Sequence, residues 1–232
     1  MRRTWIASLF AVLPLAACGG TADEDVVEQP GAESAAPENT DSEAPAEQGQ
    51  LVASGFGQSD QYAAGIALVE NTSDHGGQTV TVQMNFLDEA GDIITSSDQL
   101  ESFAYAGQTL AVHVFADLGD KRAKVASVEP TLLIEDEGTF SEFDFQLEPV
   151  EATSITDNFG VEAKFEITNP TSDPLQDVRI GVACYDKNDN IVGGGVAFPE
   201  LIPPNGTNVV TATSLTVSSK PASCVAYPSP GL

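Results

Sequence analysis

Val80-Thr81-Val82-Gln83-Met84-Asn85-Phe86-Leu87-Asp88-Glu89-Ala90-Gly91-Asp92-Ile93-Ile94 alternates apolar and polar residues, crosses an acidic turn with one glycine, and resumes with an apolar pair. Successive side chains of a strand point to opposite faces, so the pattern predicts a half-buried strand, a hairpin turn and a partner strand. Val80, Val82, Met84 and Phe86 fall on the face turned to the core. The pattern returns 98 positions later as Val178-Arg179-Ile180-Gly181-Val182-Ala183-Cys184-Tyr185-Asp186-Lys187-Asn188-Asp189-Asn190-Ile191-Val192. At that offset Asn71 falls on Asn169, Asp88 on Asp186 and Ile93 on Ile191. One inserted residue then brings Gly107 onto Gly206 and Lys121 onto Lys220. A repeat of domain length implies two copies of one fold rather than a solenoid of short units.

Working outward, residues 62–70, 78–87, 92–96, 102–105, 110–115 and 124–134 read as short strands between polar turns, and Pro130 marks the last as an edge or a break. No stretch has helical periodicity of useful length. The fold class is therefore all-β: two tandem antiparallel β-sandwich domains, residues 51–137 and 138–232, following a signal peptide and an acidic linker. Asp136-Glu137-Gly138-Thr139 marks the boundary. Phe140, Phe143 and Phe145 belong either to the seam between the copies or to the first strand of the second.

The N-terminus has a different purpose. Arg2 and Arg3 precede an apolar run over residues 6–15, the pattern of a secretory signal and too short to span a membrane. Leu15-Ala16-Ala17-Cys18 closely resembles the lipobox of bacterial lipoproteins. That resemblance implies removal of residues 1–17 and acylation of Cys18. The expected location is then the extracytoplasmic face of the cell membrane or outer membrane, held by lipid rather than by a spanning helix. Residues 18–50 are rich in Glu, Ala, Pro, Ser and Gln, with no Lys, Arg or aromatic residue. Such a segment buries too little apolar surface to offset the entropy of ordering, so it reads as a disordered tether with a span on the order of 30 Å.

Thirty-five acids stand against nine basic residues, a formal net charge of −26. Such a surface repels nucleic acid and anionic headgroups, which excludes both as direct partners. It suits solubility in a salty habitat or attraction of cations, and salt adaptation is the simpler reading.

Two thiols remain beyond Cys18. Phe86 predicts that Cys184 points into the core, and Cys224 aligns with the apolar Val125, so the two cysteines are expected to face each other across the second sandwich. In an extracytoplasmic compartment they are expected to form a disulfide, worth roughly 4 kcal/mol for the loop it closes in the chain-entropy account. Two buried free thiols are the alternative. Neither cysteine has a basic neighbour in sequence, which argues against a catalytic thiol.

Asp186, Asn188 and Asn190 have the spacing that opens a calcium loop, but Ile191 stands where such a loop needs glycine. Asp, Asn and Gly are also the residues of a tight hairpin turn, which is the favoured reading; a loosely held divalent cation is the other. His75 and His113 lie in no metal-ligand spacing, and there is no Gly-x-Ser-x-Gly or Ser-x-x-Lys motif. Gly193-Gly194-Gly195 precedes no helix, so it reads as a bulge or a flexible strand end rather than a phosphate cradle. No catalytic residue and no cofactor are expected.

Met84-Asn85-Phe86-Leu87-Asp88 and Val182-Ala183-Cys184-Tyr185-Asp186 resemble the motif of the FxLYD family of bacterial extracytoplasmic domains. Each is preceded by an Asn-containing turn and followed by a Gly-containing one. Asp88, Asp186 and Tyr185 match the named letters. The resemblance implies immunoglobulin-like sandwiches on a surface lipoprotein with no established catalytic role. The expected function is a non-enzymatic interaction or scaffolding module with an envelope protein partner. The competing reading is a cation- or small-molecule-binding envelope protein linked to salt adaptation. A partner-binding module should show an exposed apolar patch or an open edge strand, and a ligand binder an enclosed pocket.

Overall fold

Thirteen strands and no α-helix are found among the described residues of the computed structural model, 48–119, 123–136, 140–158 and 160–230. The all-β sandwich reading holds. In the first copy, β1 (Gly49–Ser59), β2 (Tyr62–Asn71) and β5 (Thr109–Asp117) form one antiparallel sheet in the order β1-β2-β5. β3 (Thr79–Leu87), β4 (Ile93–Ser102) and β6 (Ser127–Glu135) form a second in the order β4-β3-β6. Between them lies a core that includes Val69, Val80, Val82, Met84, Phe86, Phe103, Val112 and Val114. All four predicted inward residues of the opening stretch are fully buried there. Pro130 does lie on an edge strand, where its missing N–H breaks no ladder that a central strand would need.

The second copy consists of β7 (Val150–Glu151), β8 (Ser154–Thr156), β9 (Val161–Thr168), β10 (Arg179–Tyr185), β11 (Ile191–Ala197), β12 (Thr207–Val217) and β13 (Ser223–Ser229). Its core contains Phe165, Ile167, Val178, Ile180, Val182, Cys184, Ile202, Leu215 and Cys224. Here the strands form one continuous sheet, β7-β13-β10-β11-β12-β9-β8, that folds back on itself through β12. The lower part of β12 pairs with β9, and Thr216 and Val217 at its end pair with Gly194 and Gly193 of β11. Between the two parts the register shifts at Ala212/Leu215, and Ser214 has φ 57°. An extra residue in one strand bends it and strengthens its twist, which is what a strand needs to pass from one sheet to the other.

The pairings correct the alignment of the copies. Asn71 donates its amide to Gln108, and Asn169 to Gly206, so Gly206 is the counterpart of Gln108 rather than of Gly107. The offset of 98 persists into β12, and the single inserted residue lies at the bulge, not ahead of Gly206. Lys121 lies outside the described residues. On the last strand, Phe86 pairs with Val128 as Cys184 pairs with Cys224, so the counterpart of Cys224 is Val128 and not Val125. The strand predicted at 92–96 runs on to Ser102 as β4, while residues 103–105, predicted as part of a separate strand, lie in the turn after it. β1 escaped the sequence reading because Gly55, Gly57 and four hydroxyl or amide residues hide its alternation.

The two cores are joined. β2 buries Ala63, Ala67 and Val69 in its own sandwich, and Ile66 and Leu68 on the opposite face. β10 likewise sends Ile180, Val182 and Cys184 inward and Ala183 outward. Ile66, Leu68, Ala111 and Ala183 form a third apolar cluster, flanked by Ala53, Tyr185, Ile191 and Tyr227, where the β1-β2-β5 sheet lies on the β13-β10-β11 sheet. The backbones approach closely. A methyl group added at Gly181 would overlap the carbonyl oxygen of Ala111, and one added at Gly57 would overlap that of Thr216. Gly193, Gly194 and Gly195 sit within β11 and are buried; the register shifts beside Gly193, in keeping with the bulge and not with a flexible strand end, and the cluster is part of this close approach. Phe143 and Phe145, in edge-on contact, belong to the irregular segment that leads into β7; Phe145 packs against the second core.

Candidate functional site

Cys184 and Cys224 form a disulfide, with Cα atoms 4.0 Å apart. The bond joins directly paired residues of the neighbouring strands β10 and β13, so it staples one sheet and does not cross the sandwich as expected. Both sulfurs are fully buried in the core, which makes the bridge a structural element with no access to substrate. Cys18 lies outside the described residues.

The two acidic turns are superimposable in their bonding. Asp88 Oδ1 accepts the amides of Ala90 and Asp92 at 2.8 and 3.0 Å; Asp186 Oδ1 accepts those of Asn188 and Asn190 at 2.7 and 3.0 Å. The fourth residue of each turn has positive φ, Gly91 at 85° and Asp189 at 63°. The Asn190 amide group also bonds the Asp186 carboxylate, at 3.1 Å to Oδ2. Hydrogen bonds from Asn190 and the turn amides hold the Asp186 carboxyl below its usual range. This oxygen is engaged in shaping the turn, which supports the hairpin reading of Asp186, Asn188 and Asn190. Among the described residues no group of three or more His, Cys, Asp or Glu side chains is arranged to hold a metal ion.

A second duplicated device fixes the loop before β3 and β10. Asn71 Oδ1 accepts from the amide and hydroxyl of Ser73, while Nδ2 donates to the carbonyls of His75 and Tyr105. Asn169 does the same with Thr171, Asp173 and Ile202. Both asparagines are buried with their polar groups satisfied, a role in structure rather than in binding.

Polar groups gather where the copies meet. Arg179 Nη2 of β10 lies 2.7 Å from Glu101 Oε1 of β4, and both side chains are largely buried. Burial pushes the Glu101 carboxyl up, against the pull of the Arg179 guanidinium and of Gln99. His113, on the seam side of β5, is pushed down to about 4 by burial first and by Arg179 second. The Tyr105 hydroxyl donates to the Leu147 carbonyl and accepts its amide, at 2.8 and 3.1 Å. Gln108 Nε2 donates to Ser229 Oγ at 3.1 Å, and the Tyr185 and Tyr227 hydroxyls are 3.0 Å apart. Sequence reasoning found none of these contacts, because partners 42, 78 or 121 positions apart leave no local pattern.

The outer sheet of the first copy is the larger exposed feature. In the second copy, β7 pairs with Val225 and Ala226 of β13 and the end of β12 with Gly193 and Gly194 of β11, so each edge of that sheet is covered over two residues. In the first copy, neither the outer edge of β4 nor that of β6 has a strand on it among the described residues. On the outer face, register places Leu100, Thr81 and Leu133 side by side, and both leucines are about half exposed. A depression of about 310 Å3 opens there, lined by Thr81, Gln83, Asp98, Thr131 and Leu133.

No family model and no curated protein matches this chain. Among solved structures, the crystal structure of red sea bream transglutaminase aligns over 77% of this chain and 28% of that one, at 10% identity and a TM-score of 0.24. That likeness carries no argument about activity. No helix among the described residues is long and apolar enough to cross a membrane, which says nothing of a β-barrel.

Proposed function

We propose that the chain is a lipid-anchored lipoprotein of the bacterial cell envelope whose folded part is a non-enzymatic interaction module. The expected anchor is Cys18, with the acidic segment expected at 18–50, less Gly49 and Gln50 that stand in β1, as the spacer between membrane and fold, and the immunoglobulin-like character is that implied by the FxLYD resemblance. One observation carries the reading. Thr81, Gln83 and Asn85 of β3 occupy the positions that Arg179, Gly181 and Ala183 hold on β10, and on β10 that face is covered by another sheet. The first copy thus presents, uncovered, the same face through which the second copy is docked. Leu100 and Leu133, each about half exposed on it, support a partner-binding reading.

Tying the two sandwiches through an apolar seam adds to this reading, since a rigid partner loses less entropy on binding than one with a free hinge. The test is a photoreactive residue placed at Gln83 in the native host, with Thr211 on the far sheet as the comparison. A specific crosslinked protein at Gln83 supports the reading; labelling at neither position overturns it.

A further inference from the structure

The partner's chemistry can be narrowed from the same face, and the narrowing rests on the interaction reading above. The depression is lined by Thr81, Gln83, Thr131 and Leu133, with one ionisable group, Asp98. Asp98 makes no hydrogen bond or ion pair among the described residues, in contrast to the turn aspartates. No Lys, Arg or His occurs anywhere on β3, β4 or β6, which between them carry Asp98, Glu101, Glu129 and Glu135. Glu101 is turned away and held by Arg179, so the charge facing solvent is that of the other three, with Asp92 at the hairpin end, where Glu89 is paired with Lys124 at 3.6 Å.

A neutral apolar partner would leave Asp98 desolvated and unpaired, which costs far more than the leucine contacts return. An acidic partner would be repelled outright. A side chain with an aliphatic stem and a cationic head meets both requirements, because such side chains lay the stem on apolar surface and keep the head at a carboxylate. We propose that the outer face of the β4-β3-β6 sheet docks a basic surface of a partner protein, with one Lys or Arg side chain seated in the depression. The stem lies against Leu133 and Thr131, the head lies at Asp98, and Leu100 packs at the rim.

The test uses the mature full-length chain, isotopically labelled, titrated with a short capped peptide alternating lysine and threonine, and with its glutamate counterpart. The expected result is saturable amide shifts at Thr81, Gln83, Asp98, Thr131 and Leu133 with the lysine peptide alone. Asp98→Asn should weaken binding about fivefold, the upper end for an exposed ion pair. Leu133→Ser should weaken it as well, and Glu166→Gln on the far sheet should leave it unchanged. All three sites are exposed, so the variants retain the fold, and the wild-type-like spectrum elsewhere verifies this. Shifts confined to the acidic segment before Gly49, equal affinity for Asp98→Asn, or no binding up to millimolar peptide would each overturn the assignment. A crosslinked host protein at Gln83 alongside an ignored lysine peptide would remove the basic side chain and leave the interaction reading standing.

Discussion

Two strands with one repeated pattern end in opposite surroundings. β3 sends four residues into a sandwich core and β10 three, with Val178 just ahead of it, and the other faces of the two strands differ completely. On β3 that face is Thr81, Gln83 and Asn85, open to solvent or nearly so; on β10 it is Arg179, Gly181 and Ala183, pressed against the first sandwich. The inward face states what the fold is, and the outward face states what each copy is placed against. Small residues let backbones approach, and a single Arg–Glu pair orients the contact. Polar residues of middle size keep β3 from becoming a second seam, while Leu100 and Leu133 leave it able to bind.

The largest effect is expected at the charged part of this contrast. Arg179→Met leaves Glu101 buried without its partner, and breaking such a pair costs about 3–5 kcal/mol. Thr81→Met, at the matching and partly exposed position of β3, should change stability by less than about 0.5 kcal/mol, as surface substitutions do. Chemical denaturation of the two variants checks the pair. Equal and small effects would mean that the seam contributes little to stability.

Removing the bridge comes next. Cys184→Ala with Cys224→Ala should cost about 2–4 kcal/mol, since the disulfide closes a loop of sequence separation 40 and stands in the core. The first copy performs the same task with Phe86 against Val128, by volume instead of a covalent bond. Non-reducing mass spectrometry gives the direct check: the native chain should take up no alkylating reagent at these positions until it is reduced.

Gly181→Val should follow, at about 1–3 kcal/mol, because an added side chain must displace the Ala111 strand. Gln83→Val, its counterpart, should be nearly neutral for stability. A seam loosened by Gly181→Val should also expose the Ile66–Leu68 cluster, which dye binding or hydrogen exchange along β2 would report.

These comparisons also define what the sequence could show. The alternation at residues 80–86 and its return at 178–184 revealed the strands, their inward faces and the buried cysteine, because one strand face and one core impose a local period of two. The seam was less legible. Residues 63–69 form a continuous apolar run, and residues 180–184 nearly so, which is how strands buried on both faces read. That signal was present, yet without a partner sheet in view it could not be told from an ordinary core strand. The bulge at the glycines of β11 is legible, but their close packing is not: a close approach is a property of two segments, and only one is visible at a time. The inserted residue in β12 was detected but placed too early, since sequence similarity fades where the strand bends between sheets.

The smallest effect is the acid response of the seam. The imidazole of His113 titrates near 4 in the fold and near 6.5 in the unfolded chain, so the folded state prefers it neutral. Its contribution is complete above pH 6.5 and is lost as pH falls from there toward 4, because the unfolded chain binds the proton first. Between neutrality and pH 5.5 the loss should be about 1 kcal/mol. His75 runs the other way. Hydrogen bonds it donates to Asp74, 3.0 Å away, and Asp136, 3.1 Å away, raise its pKa, so its contribution is present below 6.5 and fades as pH rises through the raised value. His113→Gln should therefore flatten the acid side of the stability curve, and His75→Gln the alkaline side. Denaturation midpoints from pH 5 to 8 for both variants separate the two. If His113→Gln leaves the acid limb as steep as in the wild type, the seam histidine is not the group that weakens the fold there, and Arg179 must tolerate a charged neighbour.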